Sequence, residues 1–295
     1  MRKKIVVTGG AGFVGSNLIR YLLKKTNYSI LSIDNYTSGF KSNHIRSKRV
    51  KYLKYSTKDI KKALKNYKSI QSIFHFGEFS RIYQSFLKME QCIESNSVGT
   101  HAVFNYCLSN KIKLIYSATS ASLGNKGNDK NLSPYAFTKA KNLEMLENLK
   151  RWYNFKFEII YFYNVYGPKQ ICKGDMATVI GIFENQYKKK MSLTVVKPGT
   201  QTRRFTHIED TIRICFLAWR KNKCRHYGIS HRKSYSLNDV AKLFKSKIKF
   251  LKKRDGERYA SALTKMNLSN KVYRYYGKID LKIYIRQFLD KTPRK

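Results

Sequence analysis

Short apolar runs rich in β-branched residues recur along the first half of the chain, at Ile5–Thr8, Ile30–Asp34, Val50–Tyr55, Ile70–Phe76, Ile112–Ala118 and Phe157–Asn164. Between them lie stretches with helical spacing of apolar positions: Val14–Lys25, Asp59–Tyr67, Phe86–Ser109 and Pro134–Tyr153. Strands that alternate with helices of this length predict crossover units and a parallel sheet. The continuous apolar character of the strands fits a sheet covered on both faces. After about residue 165 the pattern loosens. A helix is predicted over Met176–Lys190, a strand over Leu193–Val196, a turn at Lys197-Pro198-Gly199 and a helix after Asp210. Two weaker helices follow, Leu237–Ser246 and Asp280–Leu289. The reading is an α/β fold with a doubly wound parallel sheet over residues 1–165 and a smaller α/β lobe over 166–295 that crosses back to the first.

Charge changes the picture next. The 295 residues carry 60 Lys+Arg against 18 Asp+Glu, a formal net charge of +42. Such an excess points first to a nucleic-acid or anionic-surface binder. With 42% hydrophobic residues and four prolines, however, the chain is not a disordered basic tail. Lysines are spread along the whole length rather than gathered on one segment, which suits a solvated surface and disfavours nucleic acid as the main partner. No apolar run approaches the roughly 18–20 residues of a membrane span, so no membrane is expected as partner. The N-terminus shows no small-residue cleavage site of the kind a signal peptide needs, and the five cysteines are odd in number with no CxxC pair. Both features lead to the expectation of a cytoplasmic protein with reduced thiols and no metal site.

The strand Ile5–Val7 runs into Thr8-Gly9-Gly10-Ala11-Gly12-Phe13-Val14-Gly15, and a helical pattern follows at once. Glycine at Gly9 permits a tight turn, Gly12 lets the backbone approach a pyrophosphate, and Gly15 allows close helix–sheet packing. The helix N-terminus at Phe13 and Val14 then offers N–H groups and partial positive charge to phosphates. Nineteen residues after Gly15 the second strand ends at Asp34, in Asp34-Asn35-Tyr36-Thr37-Ser38-Gly39. A carboxylate there accepts hydrogen bonds from an adenosine ribose and repels a 2′-phosphate, favouring NAD over NADP. Asp34 and Asp59 are the only acids in the first 77 residues, which adds weight to Asp34.

Tyr135 and Lys139 stand at i and i+4 near a helix start, after Ser133-Pro134. A phenol of pKa about 10 is a poor base at neutral pH, and a nearby ammonium stabilises its phenolate so that it can exchange a proton with an alcohol. The pair follows the strand Ile112–Ala118, whose C-terminal end would present Thr119 to the same substrate oxygen.

Taken in order, these motifs resemble the extended short-chain dehydrogenase/reductase family, and within it the NAD-dependent epimerase/dehydratase group, with nucleotide-sugar epimerases of the UDP-glucose 4-epimerase kind. The resemblance rests on Thr8–Gly15, Asp34–Gly39, Phe74-His75-Phe76-Gly77, Asn96–Thr100, Thr119–Gly124, Tyr135/Lys139, Asn164–Pro168 and Gln201–Asp210. It implies a Rossmann fold and NAD as cofactor, held by Gly9, Gly12, Phe13, Val14, Gly15, Asp34, Asn35, Ser38 and Lys139. Tyr135 becomes the proton-transfer group, Lys139 its activator and a contact of the nicotinamide ribose, and Thr119 the family's Ser/Thr. Ser80, Thr119, Asn164, Arg203 and Arg254 become substrate residues, the two arginines pairing with phosphates of a nucleotide diphosphate. The resemblance also implies a homodimer through Phe86–Ser109 and Pro134–Tyr153.

The implied reaction is inversion at C4 of a UDP-hexose through a transient 4-keto sugar. A dehydratase or reductase of the same superfamily is the alternative. Related dehydratases follow the Thr position with an Asp-Glu pair and related decarboxylases carry a Glu two residues on, whereas this chain has Ser120 and Ala121. The chain departs from the family at Leu123, where Tyr is frequent, at Tyr161, where Arg is usual, and at Tyr55-Ser56, where Gly-Asp is expected. Glu78 stands where small residues are common, which implies a remodelled sugar pocket.

Overall fold

In the computed structural model, residues 2–121, 130–253 and 272–292 are described. The first half runs β1 (Lys4–Thr8), α1 (Phe13–Lys25), β2 (Ser29–Asp34), β3 (Val50–Lys54), α2 (Ile60–Leu64) and β4 (Ile70–His75). It continues with α3 (Ile82–Leu87), α4 (Met89–Ile93), a π-helical turn (Glu94–Gly99), α5 (Thr100–Ser109), β5 (Lys113–Thr119), α6 (Pro134–Tyr153) and β6 (Phe157–Phe162). The second half comprises β7 (Val165–Tyr166), α7 (Val179–Lys188), β8 (Leu193–Val196), β9 (Thr202–Arg204), β10 (Thr206–His207) and α8 (Ile208–Lys221). It ends with β11 (His226–Ser230), β12 (Ser234–Ser236), α9 (Leu237–Leu243), β13 (Ile248–Leu251), β14 (Val272–Tyr276) and α10 (Leu281–Asp290).

Eight strands form one parallel sheet in the order β14-β11-β6-β5-β4-β1-β2-β3. The order reverses direction at β1, so β1, β4 and β5 end around the crevice where α/β sheets bind ligands. One core layer gathers Val6, Ile33, Ile73, Leu114 and Tyr116 with Val103, Phe104 and Leu146. The other gathers Ile5, Val7, Phe74 and Ile115 with Leu18, Leu22 and Ile212. Successive residues of one strand thus feed opposite layers, which is why these strands read as unbroken apolar runs. A third core, with Phe183, Leu193, Phe205, Val240 and Phe244, belongs to the C-terminal lobe.

One expectation is corrected. The helix expected over Phe86–Ser109 is interrupted once, at Lys88 between α3 and α4, and from Met89 runs on through the π-helical turn into α5. Its middle reads Ser95-Asn96-Ser97-Val98-Gly99, poor in helix formers. Gly99 lies against the loop after β3, where a Cβ would come within 2.2 Å of Thr57 Oγ1. A π-helical turn of this kind recurs at functional sites. The sheet extends past residue 165, where β11 pairs with β6 and β14 pairs with β11. Their pairing is long-range, and periodicity did not show them.

Glu158 on β6 is fully buried and pairs with Lys113 at 3.0 Å while accepting from the backbone N–H groups of Cys224 (3.1 Å) and Arg225 (2.8 Å). It thereby ties the entry of β11 to the sheet. Glu158→Ala takes the counter-charge from a half-buried ammonium, which keeps only Trp219 O, and leaves two amides without their acceptor. The expected loss is about 3 kcal/mol of stability, read as a lower denaturation midpoint.

Candidate active site

The glycine loop folds as its composition requires. Gly9 has φ +68°, and a Cβ there would meet Phe76 O and Gly77 backbone atoms within 2.8–2.9 Å. Gly15 sits so close to Gly9 that a Cβ would lie 2.1 Å from its carbonyl oxygen. This approach brings the N-terminus of α1 to the floor of a cavity of about 740 Å³. Gly9, Gly12, Phe13, Val14, Gly15, Asp34, Asn35 and Ser38 all line that cavity, as do Tyr55, Ser56 and Thr57.

Asp34 is buried and has a second task beyond the one expected. Its Oδ2 accepts from Ala11 N–H at 2.9 Å and its Oδ1 from Tyr36 N–H at 2.8 Å. The carboxylate therefore fastens the glycine loop to the turn after β2. Burial pushes its pKa up, and the two amides oppose that shift.

Thr119, Tyr135 and Lys139 line the same cavity. Thr119 ends β5, and its Oγ1 accepts from Ala121 N–H at 3.2 Å, leaving the hydroxyl hydrogen available to a ligand. α6 starts where the sequence says it should. Ser133 caps it through Ala136 N–H at 3.1 Å, and Pro134 occupies its first position. Tyr135 then lies in the first turn, with its backbone N–H on Ser85 Oγ at 3.2 Å and its side chain packed with Phe79 and Cys92. Lys139 follows one turn later, buried, and donates to Ser117 O.

Glu78 is the residue sequence reading placed without a role. Its side chain is 2% exposed and forms an ion pair with Lys139. Its Oε1 accepts from Thr100 Oγ1 and Tyr116 Oη, each at 3.0 Å. Ser117 Oγ is 3.4 Å from Oε2. His75 extends the network, with Nδ1 2.7 Å from Thr8 Oγ1 and Nε2 3.0 Å from Thr100 Oγ1. Asn96 clamps the loop by exchanging hydrogen bonds with the backbone of Phe79 at 2.7 and 3.1 Å. Glu78 lines the cavity, and its carboxylate is engaged by the lysine. Asn96 lay inside a motif already singled out, whereas Asn142, which donates to Asn96 O at 2.7 Å and Tyr116 Oη at 3.1 Å, carried no sequence signal.

Of the substrate residues, Ser80 is exposed at the cavity wall. Asn164, at φ 36°, lines the cavity and donates to Arg204 O at 2.9 Å. Arg203 is buried there and donates to Thr202 O at 2.9 Å. Arg254 and Leu123 lie outside the described residues.

A parallel sheet with a glycine loop at β1 and a Tyr/Lys pair beyond β5 defines a dinucleotide-dependent enzyme class, and comparison with known proteins agrees. The sequence profile of the NAD dependent epimerase/dehydratase family matches residues 5–230, and the chain belongs to that family. A Methanocaldococcus jannaschii protein provisionally assigned as a UDP-glucose 4-epimerase is 29% identical over 273 residues, 86% of this chain and 88% of the relative. An ADP-L-glycero-D-manno-heptose-6-epimerase of Brachyspira hyodysenteriae is 29% identical over 259 residues, 82% of this chain and 80% of the relative. The crystal structure of Thermus thermophilus UDP-glucose 4-epimerase complexed with NAD superposes with a TM-score of 0.84, at 21% identity, over 97% of this chain and 98% of that one.

NAD is the cofactor of this family, and the cradle fits it. The glycine loop leaves room that any side chain at Gly9 or Gly15 would fill. Asp34 holds the loop through Ala11 N–H, and Asp34, Tyr135 and Lys139 all line the same cavity. Among the described residues no group of three or more His, Cys, Asp and Glu could hold a metal ion, and no helix is long and apolar enough to cross a membrane.

Proposed function

We propose that this enzyme inverts C4 of a UDP-hexose through a transient 4-keto sugar. The observation that carries this reading is the surroundings of Thr119. Ser120 and Ala121, both buried, occupy the positions where an eliminating enzyme needs a carboxylate. Among the described residues the carboxylate paired with Lys139 is Glu78, and both its oxygens are engaged by protein groups. Inversion by oxidation and reduction needs only one proton-transfer group.

Bound NAD supplies reversible two-electron chemistry at the sugar carbon. Tyr135 takes the hydroxyl proton as the alcohol becomes a ketone and returns it on reduction. Thr119 donates its free hydroxyl hydrogen to the same oxygen and orients it. Lys139 lies one helical turn from Tyr135 on the same face and contributes to the field at the phenol. Arg203 binds a phosphate of the nucleotide diphosphate, for which its planar fork is suited. Arg203→Ala is then expected to raise KM about 10- to 100-fold while changing kcat far less, in steady-state assays, because the contact is made equally in ground and transition states.

Assay of UDP-, GDP-, ADP- and dTDP-sugars without added cofactor tests the reading. A C4 epimer formed by protein that carries NAD supports it. An accumulating 4-keto product, an absolute need for NADPH, or action only on ADP-heptoses contradicts it.

A homodimer is part of the proposal. Phe86, Leu87, Val98, Phe137 and Trp152 are 41–67% exposed along α3 to α6, an apolar face that a second copy would cover. Light scattering is expected to give twice the chain mass. The excess of cations fits a field that draws dianionic nucleotide sugars to the cleft, so kcat/KM should fall as ionic strength rises.

A further inference from the structure

The segment between β7 and α7 runs along the active-site cavity, which Ile171 and residues 174–178 line. Residues 171–178 close on themselves at their base. Thr178 N–H donates to Ile171 O at 2.9 Å, and Thr178 Oγ1 donates to Gln170 Oε1 at 2.8 Å. Thr178 also caps α7, accepting from Gly181 N–H at 3.0 Å. Gly181 permits that closure, since a Cβ there would come within 2.5 Å of Ile171 O. The approach to the loop is tied to the cofactor cradle. Pro168 O accepts from Asn17 of α1 at 3.1 Å, and Lys169 Nζ donates to Asn43 O at 3.1 Å. Asn43 in turn donates to Ala11 O of the glycine loop at 2.9 Å.

The tip of the loop, residues 172–177, has a looser hold. Asp175 pairs with Lys88 at 2.8 Å, and Met176 O accepts from the Arg81 guanidinium. Arg81 immediately precedes α3, Lys88 lies between α3 and α4, and both line the cavity, so the two contacts bridge it. The ion-paired side chains are 44% and 64% exposed. Such a pair contributes little stability and gives way easily. Met176 packs against the cluster of Phe79, Cys92 and Tyr135, which brings the tip to the catalytic tyrosine. Gly174 has φ +77°, and a Cβ there would meet nothing within 4 Å among the described residues. A fixed base, a weakly held tip and a left-handed glycine between them are the parts of a hinged lid.

We propose that residues 171–178 form a lid over the cleft, latched shut by Lys88–Asp175 and by Arg81 on Met176 O, and that release of this latch sets how fast bound molecules leave. The closed tip adds Met176 to the apolar wall around Tyr135. Under the reaction proposed above, the closed lid keeps the keto sugar beside the cofactor until it is reduced again.

Exchange of bound NAD reads the latch without any sugar. Protein carrying NAD is mixed with excess radiolabelled NAD, and uptake of label is followed in time. Amide hydrogen exchange of residues 171–178 is measured alongside. Asp175→Lys sets two cations against each other, and Lys88→Asp sets two carboxylates against each other. Each is expected to speed NAD exchange about 3- to 10-fold and to loosen the loop amides. The double variant Lys88→Asp/Asp175→Lys restores the attraction in reverse and is expected to return both rates to within about twofold of their starting values. A general field effect on the anionic dinucleotide would move the two single variants in opposite directions, because one adds positive charge and the other removes it. Opposite shifts, equal rates throughout, or a double variant that stays fast overturn the proposal. Should a reversal fail to fold, Lys88→Gln and Asp175→Asn only remove the attraction, and each is expected to speed exchange about two- to fivefold. No acceleration in either overturns the lid. Missing epimerase activity would overturn the proposed function and leave the lid standing, whereas unchanged exchange in an active epimerase would overturn the lid alone.

Discussion

Tyr135→Phe is expected to lower kcat by about 10²- to 10⁴-fold while the protein still carries NAD. The substitution removes one hydroxyl from a side chain that is otherwise packed with Phe79 and Cys92, so the apolar contacts survive. Ser85 holds the residue through its backbone N–H, which the variant keeps. The cradle for NAD is formed by other residues, around Gly9 to Gly15. Activity and cofactor content should therefore separate. A variant that keeps more than about a tenth of wild-type turnover would show that another group moves the proton.

Gly15→Ala is expected to abolish NAD retention and lower stability by about 1–3 kcal/mol. The new Cβ would lie 2.1 Å from Gly9 O and 2.8 Å from Gly10 Cα. Both are backbone atoms, so no rotamer relieves the overlap and the loop must open. Opening it also pulls on the Ala11 N–H that Asp34 accepts. Gly228→Ala on β11 is the control, since its nearest neighbour would be Val272 Cγ1 at 3.7 Å. Dinucleotide extracted from the purified variants, together with thermal denaturation, checks the contrast.

What the sequence made legible was what local backbone chemistry demands. The glycine loop had to be glycine because its backbone crosses itself. α6 was read to the residue, since Ser133 and Pro134 start it and Asn154, in a left-handed conformation, ends it. Tyr135 and Lys139 follow from that helix. The scarcity of acids also proved informative, because it gave weight to Asp34 and to the missing carboxylates at Ser120 and Ala121. What stayed hidden depends on partners far along the chain. The role of Glu78 is set by Thr100, Tyr116, Ser117 and Lys139, which only the sheet brings together. β11 and β14 join the sheet through long-range pairing.

The measurement that bears most directly on the central claim follows a single hydrogen. UDP-glucose deuterated at C4 is incubated with the purified protein in ordinary water, without added cofactor, and the sugars are examined by NMR. Oxidation and reduction at one carbon predicts a C4 epimer that keeps its deuterium at C4 with no solvent exchange. Loss of the label to water, its appearance at another carbon, or a 4-keto product in place of an epimer would contradict the account.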